Sequence, residues 1–174
     1  MKVNIQRPEP NECNPYFQKY IALVPARDFN EMFKMNGQQA IHFFNSIPAD
    51  KHNYAYAADK WTIKQVLMHI IDTERVMSYR ALVAARADST TVLHGMDENS
   101  YARNADVTDR TMESLISEFA AVRAATGKIY EHITEDQSRF LAKGDTYPFS
   151  ARALGYIMAG HVLHHLQVTN ERYL

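Results

Sequence analysis

The chain has 174 residues, 46% hydrophobic and 22% charged, a balance typical of a folded domain and unlike that of a disordered chain. Its 19 basic and 20 acidic residues leave a formal net charge of −1 with no long run of either sign, so a nucleic-acid partner is not expected. The one cysteine, Cys13, excludes an intramolecular disulfide framework and reads as an inert thiol, compatible with a reducing compartment.

Residues 1–25 read as an irregular arm with one short helical turn around Tyr16–Ile21, because Pro8, Pro10, Pro15 and Pro25 interrupt them. The first ten residues hold no apolar core of signal-peptide length, and no stretch approaches the roughly 18 apolar residues of a membrane span. A single cytoplasmic domain over 1–174, without a membrane partner, is the expectation. Beyond the arm, no proline lies between Ala49 and Tyr147. Four long helices are predicted at about 28–46, 62–88, 109–134 and 150–172, and no strand pattern competes with them. Thr62 with Gln65 has capping-box spacing, Thr108 with Asp109 is the expected start of the third helix, and Ser150 is the expected N-cap of the fourth. Four amphipathic helices of this length imply an all-α four-helix bundle.

Placing residues at 100° intervals assigns faces to these helices. On the second, Ile63, Val66, Leu67, Ile70, Met77, Ala81 and Ala85 form the apolar arc, with His69 and Arg80 on its shoulder and Glu74 near its centre. On the third, Arg123 faces inward among Met112, Leu115, Ile116, Phe119, Tyr130 and Ile133. Two buried opposite charges on apolar faces are expected to pair with one another. On the fourth, Leu154, Ile157, Met158, His161 and His165 share the inner face. The opposite arc carries Tyr156, Ala159, Leu163 and Leu166, interrupted by Arg152, Gln167 and Asn170. Such an apolar outer strip predicts a homodimer about a two-fold axis, with coverage by the arm as the alternative.

His161 and His165 stand at i and i+4, one turn apart on one face, a spacing that lets two imidazoles reach one metal ion. Uncompensated imidazoles at the centre of an apolar stripe would be costly, and a metal offers both a partner. His69 is the expected third ligand, about 10 Å into its helix, while His165 lies about 13 Å from the chain end. An antiparallel pairing brings the three to one level; a parallel one stays open, since His161 is about 16 Å from its own helix start. His164 points aside and reads as a shoulder or second-layer residue. Glu74 is an alternative second-layer group, and Asp72 falls on the polar arc. Tyr54, Tyr56, Glu98 and Tyr101 are candidates for the mouth of the site, although an ordinary polar loop also explains each of them.

The segment Trp61-Thr-Ile-Lys-Gln-Val-Leu-Met-His69-Ile-Ile-Asp-Thr-Glu74-Arg-Val-Met-Ser-Tyr-Arg80, followed by Gly160-His161-Val-Leu-His164-His165 and by Phe119-Ala-Ala-Val-Arg123-Ala-Ala-Thr, resembles the DinB superfamily. The nearer similarity is to its YfiT-like metal-dependent hydrolases, and it extends from about Pro15 to Leu174. The resemblance implies an up-down-down-up bundle, with residues 89–108 crossing back between parallel second and third helices. It also implies three histidine ligands, at His69, His161 and His165. Family members include thiol S-transferases and isomerases that use low-molecular-weight thiols. Three neutral imidazoles leave the ion's charge intact and a coordination position open for water or a thiol. Zinc, nickel, manganese, iron and copper all suit imidazole. The expectation is a divalent-metal enzyme acting on a small molecule, a hydrolase or a thiol S-transferase with a low-molecular-weight thiol as co-substrate. Its rival is a non-catalytic bundle in which the ion is structural.

Overall fold

The computed structural model describes residues 5–174; the first four residues of the arm lie outside the described residues. After 3-10 turns at Pro10–Glu12 and Pro15–Phe17 come α1 (Gln18–Ile21), α2 (Phe29–Ser46), α3 (Ile63–Ala85), α4 (Glu98–Asn104), α5 (Met112–Glu131) and α6 (Glu135–Arg139). A two-residue antiparallel pair, β1 (Leu141–Ala142) with β2 (Phe149–Ser150), then leads into α7 (Ala151–Arg172). That pairing is too short to write an alternating pattern into the sequence, and no strand is expected from it.

The long helices α2, α3, α5 and α7 form an up-down-down-up four-helix bundle. Lys64, at the start of α3, donates to the carbonyls of Thr108 and Arg110 just before α5, at 3.0 and 2.9 Å, so α3 and α5 run parallel. Phe29 meets Tyr130 while Gly37 meets Arg123, so α2 and α5 are antiparallel. The Tyr173 hydroxyl beyond the end of α7 donates to the carbonyl of Trp61 before α3, so those two are antiparallel as well.

Local capping explains most of the boundaries. Thr62 and Gln65 form the expected capping box, with reciprocal bonds of 3.2 and 2.8 Å, and Ser150 accepts from the Ala153 N–H at 3.0 Å. The start of α5 departs from expectation. Thr111 rather than Thr108 caps it, accepting from the Ser114 N–H. The Lys64 ammonium engages two carbonyls of this segment, and the Asp106 side chain accepts from the Thr108 N–H, which together hold it as a loop. Lys64 is accordingly buried, although its helix position reads as polar. At the end of α3, Ala87 adopts φ 52°, so the helix stops short of residue 88.

A buried polar network crosses the middle of the bundle. The Arg123 guanidinium on α5 donates from Nε to Glu74 Oε1 on α3 at 2.8 Å and from Nη2 to Oε2 at 2.7 Å. Its Nη1 donates to Asn36 Oδ1 on α2 at 2.7 Å, and Asn36 Nδ2 donates to the Ala159 carbonyl on α7 at 3.1 Å. All four long helices are thereby joined through one guanidinium. Above and below lie two separate apolar clusters, one including Phe29, Phe33, Tyr130 and Leu154, the other Phe44, Leu67, Leu115 and Phe119.

The N-terminal part of the outer strip of α7 is covered. The arm lies along it: Arg7 Nη1 donates to the Ile21 carbonyl at 2.8 Å and its guanidinium sits over the Tyr156 ring. Glu12 accepts from the Ser150 hydroxyl and from the Arg152 guanidinium, all of them buried. Burial alone would raise the Glu12 carboxyl pKa, but the hydrogen bonds from Arg152 and Ser150 outweigh it and hold the group below its ordinary value. At Gly160 the arm comes so near that a Cβ would lie 2.0 Å from the Tyr20 carbonyl oxygen. Tyr156 and Ala159 are buried here. The arm thus covers the part of the expected dimer strip around Tyr156 and Gly160, while Leu163 and Leu166 lie beside Gln39, His42 and Phe43 of α2.

Removing one side of the Glu74–Arg123 pair strands the other charge in the core, where an unpaired ion is expensive. Arg123→Met is expected to lower unfolding stability by about 3–5 kcal/mol, read from urea denaturation. Unchanged stability would contradict a network that ties the bundle together.

Candidate metal centre

The antiparallel packing of α3 on α7 brings His69, in the first half of one helix, level with His161 and His165 at and beyond the middle of the other. His161 Nε2 lies 3.0 Å from His69 Nε2 and 3.0 Å from His165 Nε2. The three offer one nitrogen each, all within 4.8 Å of one another. His69 and His161 are buried and His165 half-buried. A neutral imidazole nitrogen carries either one proton or one lone pair, so the single His161 Nε2 cannot satisfy two ring neighbours at 3.0 Å by hydrogen bonding alone. Two nitrogens bound to one ion at about 2.0–2.1 Å would lie about 2.9–3.4 Å apart, for angles between about 90° and tetrahedral. The donor set fits a divalent ion.

The surroundings keep the rings neutral and oriented. Burial, with the nearby His164, pulls the His69 pKa down to about 4. Burial first and the neighbouring imidazoles second hold His161 and His165 well below the ordinary range. Their lone pairs are thus available near neutral pH. Thr73, one turn beyond His69, has its hydroxyl 3.5 Å from His69 Nδ1, placed to accept from that nitrogen and leave Nε2 free. The indole of Trp61 packs against the His69 ring at 4.7 Å, and the Tyr20 ring meets His161 edge-on at 5.4 Å.

A cavity of about 430 Å³ opens beside His161. Its walls combine Thr73, Met77 and Arg80 of α3, Ile157 of α7, Phe17 and Tyr20 of the arm, Leu93–Glu98 and the β1–β2 turn with Asp145. Of the residues expected at the mouth, Glu98 lines this cavity. Tyr54 and Tyr56 do not: they pack on Tyr173 at 6.2 and 4.9 Å, where the aromatic side chains cover the end of α7. Tyr101 is exposed on α4 and is likewise absent from the wall. Glu74 is committed to Arg123 and stands apart from the cluster. His164 flanks the site, 5.1 Å from the His165 ring and 5.4 Å from Tyr20, without joining the three converging nitrogens. Asp72 remains beside Arg75 at 3.6 Å, outside it. The sequence places Arg80 beside His69 on the shoulder of the apolar arc without giving it a role, and gives none to Tyr20 or Asp145. Only the spacing of His69, Thr73, Met77 and Arg80 on one helical face could have pointed to the first of these.

A sequence profile of the DinB superfamily matches residues 32–168, a span that holds most of each of the four long helices and all three histidines. The chain belongs to the DinB superfamily. The likeness extends to a solved structure, YfiT from Bacillus subtilis, described as a probable metal-dependent hydrolase with an unusual four-helix bundle topology. It is 14% identical in sequence, with a TM-score of 0.69 over 96% of this chain and 91% of that one. At that identity the likeness is one of fold. None of the curated proteins matches the chain.

For this DinB-superfamily member, the geometry separates the four clustered imidazoles by role. His69→Ala and His165→Ala are expected to abolish stoichiometric metal uptake, and His164→Ala to retain it, by elemental analysis; equal loss in all three would refute the division. A second expectation concerns the metal-free protein. Unfolded chain binds a proton at His69 near the ordinary 6.5, whereas folded chain resists until about 4, so acid favours unfolding inside that window. Stability after chelation should be full above about pH 6.5 and decline as the pH falls towards 4. Urea midpoints across the range check this, with a shallower decline expected in His69→Gln.

Proposed function

We propose that the protein is a metal-dependent enzyme in which His69, His161 and His165 hold one divalent ion, and that it acts on a small molecule by hydrolysis or by transfer to a low-molecular-weight thiol. The observation that carries this reading is the convergence of three neutral imidazoles, one of which, His161, lines a cavity large enough for a small substrate. Zinc, nickel, manganese and iron are all compatible with the donor set. When bound, such an ion supplies Lewis-acid activation of water or of a thiol. The protein's own contributions are distinct. Thr73 orients His69, Trp61 and Tyr20 restrict the ring positions, and Phe17, Met77, Phe149 and Ile157 give the cavity apolar walls that limit water.

The rival reading, a purely structural ion, has less support. Among the described residues no carboxylate joins the three imidazoles, which leaves room for a reacting molecule. The bundle is also already held at its centre by the Glu74–Arg123–Asn36 network, independently of any ion. The test is a panel of chromogenic esters and amides, and of thiols with an electrophilic acceptor, run on protein loaded separately with each of the four metals. Turnover is expected with at least one metal, lost on chelation and in His161→Ala. Stoichiometric metal binding that raises the melting temperature, with no turnover for any pair, would favour the structural ion.

A further inference from the structure

Four residues of α3 follow one another along the same face: His69, Thr73, Met77 and Arg80, at steps of four, four and three. The first belongs to the histidine cluster and the other three line the cavity. On the antiparallel α7, His161 and Ile157 line it in the opposite order along the chain. The cavity is thus a groove along the α3–α7 seam, with the His161 imidazole at one end and the Arg80 guanidinium at the other. Eleven residues separate His69 from Arg80, about 16 Å of helix rise, and the backward lean of a long side chain shortens the gap to about 10 Å.

Arg80 is a buried cation that Asp145 attracts only through space, without direct ion-pair contact. It is only 6% exposed. Its guanidinium donates to the His94 carbonyl and, weakly, to the Met77 sulfur at 3.5 Å. Among the described residues no carboxylate forms an ion pair with it. Asp145 shares the wall, but its two oxygens accept from Gly95 N–H at 3.1 Å and meet His94 Nδ1 at 3.0 Å. Buried charges are ordinarily paired, and the fork of an arginine matches the two oxygens of a carboxylate. Glu98 and Asp145 on the same wall disfavour a doubly charged phosphate.

We propose that Arg80 binds a carboxylate at the end of the cavity remote from the histidines, so that the substrate is an elongated small molecule with an apolar middle and a carboxylate terminus about 10 Å from the reacting atom. As a statement about substrate, this rests on the reading of the histidine cluster as the reaction centre. As a statement about binding, it holds without metal. Apolar contacts for the middle of the molecule come from Phe17, Met77, Leu93, Phe149 and Ile157.

The test uses hexanoate and 1-hexanol, which share a chain and differ in the carboxylate, titrated into chelator-treated, isotope-labelled protein and followed through the amide signals of Leu93 and Gly95. Hexanoate is expected to bind at least about tenfold more tightly than hexanol, the scale of one charge-assisted hydrogen-bond pair. Arg80→Gln, which keeps a donor for the His94 carbonyl, should remove that advantage and leave hexanol binding unchanged. Arg80→Lys should restore part of it. Equal binding of the two probes by the parent, no hexanoate binding, or undiminished hexanoate binding in Arg80→Gln would each overturn the proposal. Should Arg80→Gln fail to give a folded circular dichroism spectrum, Arg80→Lys decides in its place: it must weaken hexanoate selectively, and an unchanged ratio overturns the proposal. Metal uptake by the parent is measured separately. Its absence would defeat the metal reading while leaving carboxylate binding intact, so the two failures remain distinguishable.

Discussion

The guanidinium of Arg123 is the point on which the arrangement of helices depends. A buried arginine needs its donors met, and here the acceptors come from Glu74 on α3 and Asn36 on α2, with Asn36 in turn reaching the Ala159 carbonyl on α7. Apolar packing alone tolerates sliding by a turn, because one leucine fits where another did. A charged hydrogen-bonded pair does not, since a shift of one turn would leave both ions unmet in the core. The network therefore sets the axial register of all four helices. Gly37 belongs to the same constraint, because a Cβ there would lie 2.9 Å from the Arg123 side chain.

The histidine cluster depends on that register. Glu74 is five residues beyond His69 on α3, and Ala159 is two residues before His161 on α7. Fixing the first member of each pair fixes the level of the second. The two helices must also approach closely and run antiparallel, which the pairing of Tyr173 with Trp61 at their shared end supports. Three imidazoles then meet in a buried environment that keeps them unprotonated, so a geometric consequence of packing becomes a chemical one: three lone pairs aimed at one point.

The remaining walls come from outside the bundle. The N-terminal arm supplies Phe17 and Tyr20, and the segment around His94 and the β1–β2 turn supply the rest. These pieces are fastened by contacts distant in sequence, including Glu12 with Arg152 and Leu93 N–H with the Lys143 carbonyl. The DinB-superfamily fold provides the four helices, and the loops packed on them shape the cavity beside the histidines.

The four long helices, the Thr62–Gln65 and Ser150 caps, the inward faces, the His161–His165 spacing and the conflict of Glu74 and Arg123 with their apolar surroundings were legible in the sequence, whereas the short α4 and α6 were not. Each legible feature is a relation between residues within a few turns of one another, or between a residue and the periodicity of its own helix. The partnership of His69 with the α7 pair was legible only through helix depth, with the resemblance to the family choosing antiparallel over parallel. The start of α5 was misplaced because its cap is decided by Lys64, more than forty residues away. That the arm covers the Tyr156 and Gly160 part of α7 was not decided by the sequence, which left the arm as an alternative to a second subunit. What seats the arm is Gly160 admitting the Tyr20 backbone, together with Glu12 meeting Arg152, and both are facts of tertiary contact. The same holds for the cavity, whose wall draws on several separated segments. Local periodicity determined what this chain could build; long-range contacts between charged groups and close-packed backbones decided which surfaces it hides and where it leaves a space.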